Sequence, residues 1–144
     1  MIKNLQDYFR PEQEIFLDTV SYKRIENLNE GLGKEFALLC QDNVKVSVNK
    51  EGVRIIITRS LAFDPEKIFA LSVSFGMDLK FNERKGEHDW QNVNLAEEFR
   101  ENGDFVTAQL MSRISLLIGQ ITSSFGQQPL ILPTGLAKKA QSGN

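Results

Sequence analysis

Residues 69–81 read FALSVSFGMDLKF. Phe69, Leu71, Val73, Phe75, Met77, Leu79 and Phe81 occupy every odd position, and the even positions Ala70, Ser72, Ser74, Gly76, Asp78 and Lys80 are small or polar. Successive side chains of a strand point to opposite faces, so this period of two describes a strand with one face on a core and the other lightly covered or wet. Upstream, Asp64-Pro65-Glu66 reads as a turn, and Val53, Ile55, Ile57, Leu61 and Phe63 alternate in another strand. Asn49-Lys50-Glu51-Gly52 is a tight hairpin signal with its glycine last. Before it, Phe36, Leu38, Cys40, Val44, Val46 and Val48 share one parity that Asp42 interrupts, which predicts a bulge or bend near Asp42-Asn43. The branched and aromatic run within residues 14–26 is the first strand, closed by a glycine- and asparagine-rich turn at 27–34. Strands joined by short turns make an antiparallel meander or a close relative of one.

Downstream, residues 82–103 form a polar connection holding Trp90 and a short helix at Asn94–Glu101, with Leu95 and Phe99 on one face. A long helix is predicted from Asp104, placed to cap it, to Phe125, with Gly126 as its stop. Leu110, Ile114, Leu117 and Ile121 form its apolar seam, widened by Met111, Ile118 and Phe125. The fold class is therefore α+β: a four-stranded antiparallel sheet backed by a long C-terminal helix. Residues 1–13 read as an N-terminal arm with at most one helical turn, 14–136 as a single domain and 137–144 as a flexible tail.

The helix carries a second pattern. Ala108, Ser112, Ser115, Gly119 and Thr122 recur at spacings of three and four, a stripe of small residues beside the seam. Such a stripe either accommodates the sheet or lets a helix of a second subunit approach closely. Glycine inside a helix costs on the order of 1 kcal/mol relative to alanine, and close packing at Gly119 is a compensation.

A chain of 144 residues, 41% hydrophobic and 25% charged, has the length and composition of one globular domain. The net charge of −2 supplies no drive toward nucleic acid or anionic lipid. No stretch approaches the roughly twenty apolar residues that cross a bilayer, and residues 1–10 hold no apolar run of signal-peptide length, so the expected address is the cytoplasm. The lone Cys40, in an apolar run, is expected to be a buried small side chain.

Signals for catalysis fail one by one. Gly31-Leu32-Gly33-Lys34-Glu35 lacks the first glycine and the hydroxyl residue of a phosphate loop, because Leu28 and Glu35 stand there. Glu87-His88-Asp89 contains the single histidine, and adjacent residues seldom converge on one ion, so no metal site is expected. Glu97 and Glu98 would point apart on a helix. With no nucleophile elbow and no dinucleotide fingerprint, the reading is a non-enzyme without a cofactor. Ten phenylalanines remain, most of them core by parity. Phe125 and the strip Leu130, Ile131 and Leu132, between Pro129 and Pro133, stand at and beyond the helix end, where they could close over the sheet or line a groove.

This order of elements resembles the SecB family of export chaperones. Val93-Asn94-Leu95, the helix 105–125 and Pro129-Leu130-Ile131-Leu132-Pro133-Thr134-Gly135-Leu136 look like that family's segment after the fourth strand, its long helix and its Pro-flanked strip. The likeness spans roughly Glu14 to Leu136. It implies an ATP-independent chaperone or peptide-binding protein that holds non-native polypeptides, or a scaffold of the same fold that binds one specific partner such as a toxin-antitoxin component. It also implies a homo-oligomer, dimer or tetramer, with the stripe Ala108, Ser112, Ser115, Gly119 and Thr122 at the interface. The implied client groove is lined by Phe125, Leu130 and Leu132, with Tyr22 and Phe36 as walls. The family's second helix with its acidic tail is missing here or reduced to Leu136-Ala137-Lys138-Lys139, which puts docking to the translocation motor SecA in doubt.

Overall fold

The computed structural model describes residues 4–26, 37–64, 68–82, 90–125 and 129–137. Among them run four strands, β1 (Phe9–Ile25), β2 (Ala37–Val48), β3 (Gly52–Asp64) and β4 (Ile68–Phe81), then helices α1 (Leu95–Asn102) and α2 (Asp104–Ser123). A 3-10 turn at Leu5–Tyr8 leads into β1. The expected turns at 27–34 and 65–66, the phosphate-loop comparison at 31–35, the stop at Gly126 and the Glu87-His88-Asp89 cluster lie wholly or mostly outside the described residues.

All pairings are antiparallel, and the spatial order is β1-β4-β3-β2. Consecutive strands β1 and β2 thus occupy opposite edges, which the meander expectation did not specify. The β2–β3 hairpin forms where the sequence placed it: the Asn49 side chain accepts hydrogen bonds from the amides of Glu51 and Gly52 at 2.7 and 2.9 Å. Gly52 is obligatory, because a Cβ there would stand 1.8 Å from the carbonyl oxygen of Leu79.

The expectations for two strands are corrected. The β2–β3 register runs without interruption through Asp42, so no bulge forms; Asp42 points inward opposite Arg59, a partner that makes burial of the carboxylate tolerable. Irregularities occur instead in β1, between Phe9 and Gln13 around Pro11, and between Leu17 and Thr19. An edge strand accepts proline because one side of it has no ladder to complete. The second shift reverses the parity of β1: Ile15 and Leu17 oppose the inner-face residues Met77 and Phe75, and after it Val20 and Tyr22 oppose Val73 and Leu71. β1 also starts at Phe9, earlier than expected, and Leu5 and Phe9 are buried.

The inner face carries the core. Val53, Ile55, Ile57 and Leu61 of β3, and Phe69, Leu71, Val73, Met77 and Leu79 of β4, meet Val106, Leu110, Met111, Ile114 and Ile118 of α2. α2 lies over β4 and β3, and α1 packs on β2 with Leu95 and Phe99 inward. Asn94 caps α1 by accepting from the Glu97 amide at 3.3 Å. Asp104 does not cap α2. Gly103 occupies the cap position without a side-chain bond, and its carbonyl accepts from Val106 and Thr107 at 2.8 and 2.9 Å. The outer face is polar and small: the Ser74 hydroxyl contacts those of Thr19 and Thr58 at 3.0 and 2.7 Å, and Arg54 forms a two-pronged bond to Asp78. No helix among the described residues is long and apolar enough to cross a membrane.

Candidate polypeptide-binding site

Aromatic residues gather at both ends of the sheet. At one end Phe9 stacks with Phe81 and Trp90 and touches Phe99 and Phe105, a closed cluster that fastens the N-terminal turn and the helices to the sheet. At the other end Tyr22 lies 4.9 Å from Phe125 and 5.9 Å from Phe69 between ring centroids, and Phe69 meets Phe63 edge to face. This second cluster is open, with Tyr22 43% and Phe125 37% exposed. The opening continues along the inner face of edge strand β1, where Leu17 and Val20 are 53% and 45% exposed. The parity reversal in β1 matters here, because it turns Val20 and Tyr22 to the same face as Leu17. Leu17, Val20, Tyr22 and Phe125 thus make an apolar strip along an edge whose backbone, among the described residues, is paired on one side only. Extended chains bind such places by main-chain pairing and by seating alternate side chains.

The segment after α2 takes a different place. Leu130, Leu132 and Leu136 are half-buried against the core, and Ile131 is exposed. The Thr122 hydroxyl accepts from the Leu130 amide at 2.8 Å, and the Ser115 hydroxyl donates to the Leu132 carbonyl at 2.9 Å. Arg59, inside the sheet, donates to the carbonyls of Pro133 and Gly135 at 2.7 and 3.0 Å. Its remaining donors grip Asp42 at 2.7 and 2.8 Å, and Asp42 in turn accepts from the Ala137 amide at 2.6 Å. Arg100 of α1 closes the clasp by donating to the carbonyls of Ala137 and Asp42, both at 3.1 Å.

The electrostatics follow from this packing. The Asp42 hydrogen bonds hold the Arg59 guanidinium above its ordinary value, against the opposing pull of desolvation. Burial pushes the nearby Cys40 thiol up, with Arg59 opposing and Asp42 adding to the shift.

The groove residues read from sequence are therefore divided. Tyr22 and Phe125 come together in the open cluster, Leu130 and Leu132 lie under the clasp on the other flank of α2, and Phe36 lies outside the described residues. The small-residue stripe divides too. Ser115, Gly119 and Thr122 are buried, the first and last bonded to the chain's own segment, and a Cβ on Gly119 would meet Ile131 at 3.3 Å. Ala108 and Ser112 stay exposed on a face shared with Leu116. Sequence reasoning passed over Asp42, Arg59 and Arg100. The first two had a signal: each is the charged break in an apolar parity, and the register that sets Val48 opposite Val53 sets Asp42 opposite Arg59.

The fold is similar to a solved structure of the SecB-like chaperone Rv1957 of Mycobacterium tuberculosis in complex with a ChAD peptide from the Rv1956 HigA1 antitoxin. The TM-score is 0.64 at 15% sequence identity, covering 92% of this chain and 91% of that chain. At that identity the likeness is one of fold, and the chain has a SecB-like α+β architecture. No family model and no curated protein sequence matches the chain.

Proposed function

We propose that this protein is an ATP-independent, SecB-like chaperone or peptide-binding protein that holds non-native polypeptides in extended form. The observation that carries the reading is the open strip of Leu17, Val20, Tyr22 and Phe125, apolar side chains left exposed along a strand edge that none of the described residues pairs. It offers shallow apolar seats and a free main-chain edge and asks for no particular sequence. Support from outside the chain is the similar fold of a SecB-like chaperone that binds an antitoxin peptide. That complex also favours the second reading, a scaffold of the same fold dedicated to one partner such as a toxin-antitoxin component.

The working form is a cytoplasmic homo-oligomer, dimer or tetramer, in which several weak sites act together on one client. Its interface is the outer face of α2, with Ala108, Ser112 and the exposed Leu116, flanked by Ile131. Ser115 and Gly119 line a shallow hollow on that face between Leu116 and Ile131, and Thr122 lies beneath the chain's own segment. No catalytic step and no cofactor is assigned, and SecA docking is not part of the proposal.

The test is suppression of aggregation of an unrelated denatured protein, without nucleotide and at near-stoichiometric ratio. Wild type should suppress, and Tyr22→Asp with Phe125→Asp should not, while circular dichroism and the unfolding midpoint stay close to wild type. Absence of suppression by excess wild-type protein overturns the chaperone reading. Tight binding of one folded partner with no suppression selects the scaffold.

A further inference from the structure

The clasp on the segment Leu130–Ala137 has a distinctive chemistry. Six hydrogen bonds from Thr122, Ser115, Arg59, Asp42 and Arg100 reach this segment, and all six end on its main-chain amides or carbonyls. Between these bonds Leu130, Leu132 and Leu136 turn toward the core, while Ile131, Pro133, Thr134 and Gly135 face out and the chain bends at Thr134-Gly135. Main-chain recognition combined with apolar seats between the bonds suits a polypeptide whose sequence is not specified. The seated segment is eight residues long and folds around Arg59 at the bend.

We propose that Thr122, Ser115, Arg59, Asp42 and Arg100 form a second binding track for unfolded polypeptide, filled in the free protein by its own residues 130–137, which an incoming client displaces. This rests on the peptide-holding reading above and adds to it a site and its regulation. Displacement leaves no charge stranded: a client's amides and carbonyls take the same partners, so the buried Arg59 and Asp42 stay satisfied, and its apolar side chains refill the leucine seats. The tethered segment competes at the millimolar effective concentration of a short linker. Short peptides therefore lose to it. A non-native chain that first engages Tyr22 and Phe125 and then reaches across the end of α2 meets the segment on equal terms, so the device selects for long, unfolded clients.

Hydrogen exchange on the unmodified protein tests this, with permanently unfolded, carboxymethylated α-lactalbumin as the probe. Bound probe should speed exchange of the Leu130 and Ala137 amides at least tenfold; unchanged or slower exchange overturns the proposal. A second measurement uses Gly119→Cys with Ile131→Cys in a Cys40→Ala background, joined by a short bismaleimide to pin the segment. Pinning should weaken probe binding at least tenfold relative to the unlinked form, and Leu136→Asp, which loosens the segment, should strengthen it severalfold. Full binding by the pinned protein, with loss of binding in the Tyr22→Asp and Phe125→Asp variant, overturns the track and leaves the open strip standing as the sole site. No binding by wild type or by Leu136→Asp overturns both.

Discussion

Asp42 and Arg59 face each other across the β2–β3 ladder as a two-pronged ion pair, with side chains 0% and 2% exposed. Removing one partner of such a pair leaves a buried charge uncompensated, which costs about 3–5 kcal/mol. Asp42→Leu and Arg59→Met should each destabilise by that order in denaturant unfolding. The double variant should cost less than the sum of the two, because neither charge is then stranded. Strict additivity would show that the pair is not coupled in the folded state.

Gly119 lies beneath Ile131, with only 3.3 Å between an added Cβ and the Ile131 Cδ1. Ile131 is 72% exposed and free to yield. Gly119→Ala should therefore be neutral or stabilising by up to about 1 kcal/mol, the helix-propensity gain. Gly119→Leu should lift the 130–134 segment and speed exchange of the Leu130 amide. A large loss of stability in the alanine variant would refute this account of the glycine.

On the outer face the Phe16 ring covers Gly76, so that a Cβ at 76 would fall 2.3 Å from the ring's Cζ. Arg54, its guanidinium carbon 4.9 Å from the Phe16 ring centroid, limits where the ring can go. Gly76→Ala should cost about 1–2 kcal/mol as overpacking. Combining it with Phe16→Ala should cost less than the sum of the single changes, and a double-mutant cycle without coupling would exclude the contact.

Cys40 is half-buried, and that burial pushes its thiol up. Alkylation by iodoacetamide near pH 8 should be about tenfold slower in the folded protein than in urea. The folded thiol binds its proton more tightly than the unfolded one, so its stabilising contribution is complete below the unfolded pKa and is lost as pH rises through the folded value. Cys40→Ala should remove that share of the alkaline decline in stability.

Leu116 projects from the outer face of α2 with 64% of its surface exposed. Leu116→Asp should leave the unfolding midpoint of the isolated fold within about 0.5 kcal/mol of wild type, as surface changes do. It should lower the mass seen by light scattering if α2 joins the subunits. An unchanged mass would move the interface elsewhere.

The strands were legible in the sequence because alternation is a local property. Each of β2, β3 and β4 shows its buried face in its own residues, and the Asn49–Gly52 hairpin fixed one register outright. α2 was legible for the same reason at a period of 3.6. Its start was misread because Asp104 looks like a cap, whereas Gly103 can sit there: a Cβ at 103 would fall 2.4 Å from the Phe99 carbonyl oxygen.

What the sequence determined by itself is a set of two-faced elements, each with an apolar side that must be covered. Which element covers which was decided by packing in three dimensions. β1 pairs with β4 across the sheet, and its change of parity at a bulge aims Val20 and Tyr22 at the open edge; neither is written in the local pattern. The stripe on α2 is the clearest case. Its small residues announced a close approach and not the identity of the approaching chain, because a backbone from the same protomer and one from a second subunit need the same space. The buried Arg59 and Asp42 settled part of it, since their unmet donors and acceptors drew residues 133–137 back onto the sheet and laid the chain's own segment over Ser115, Gly119 and Thr122.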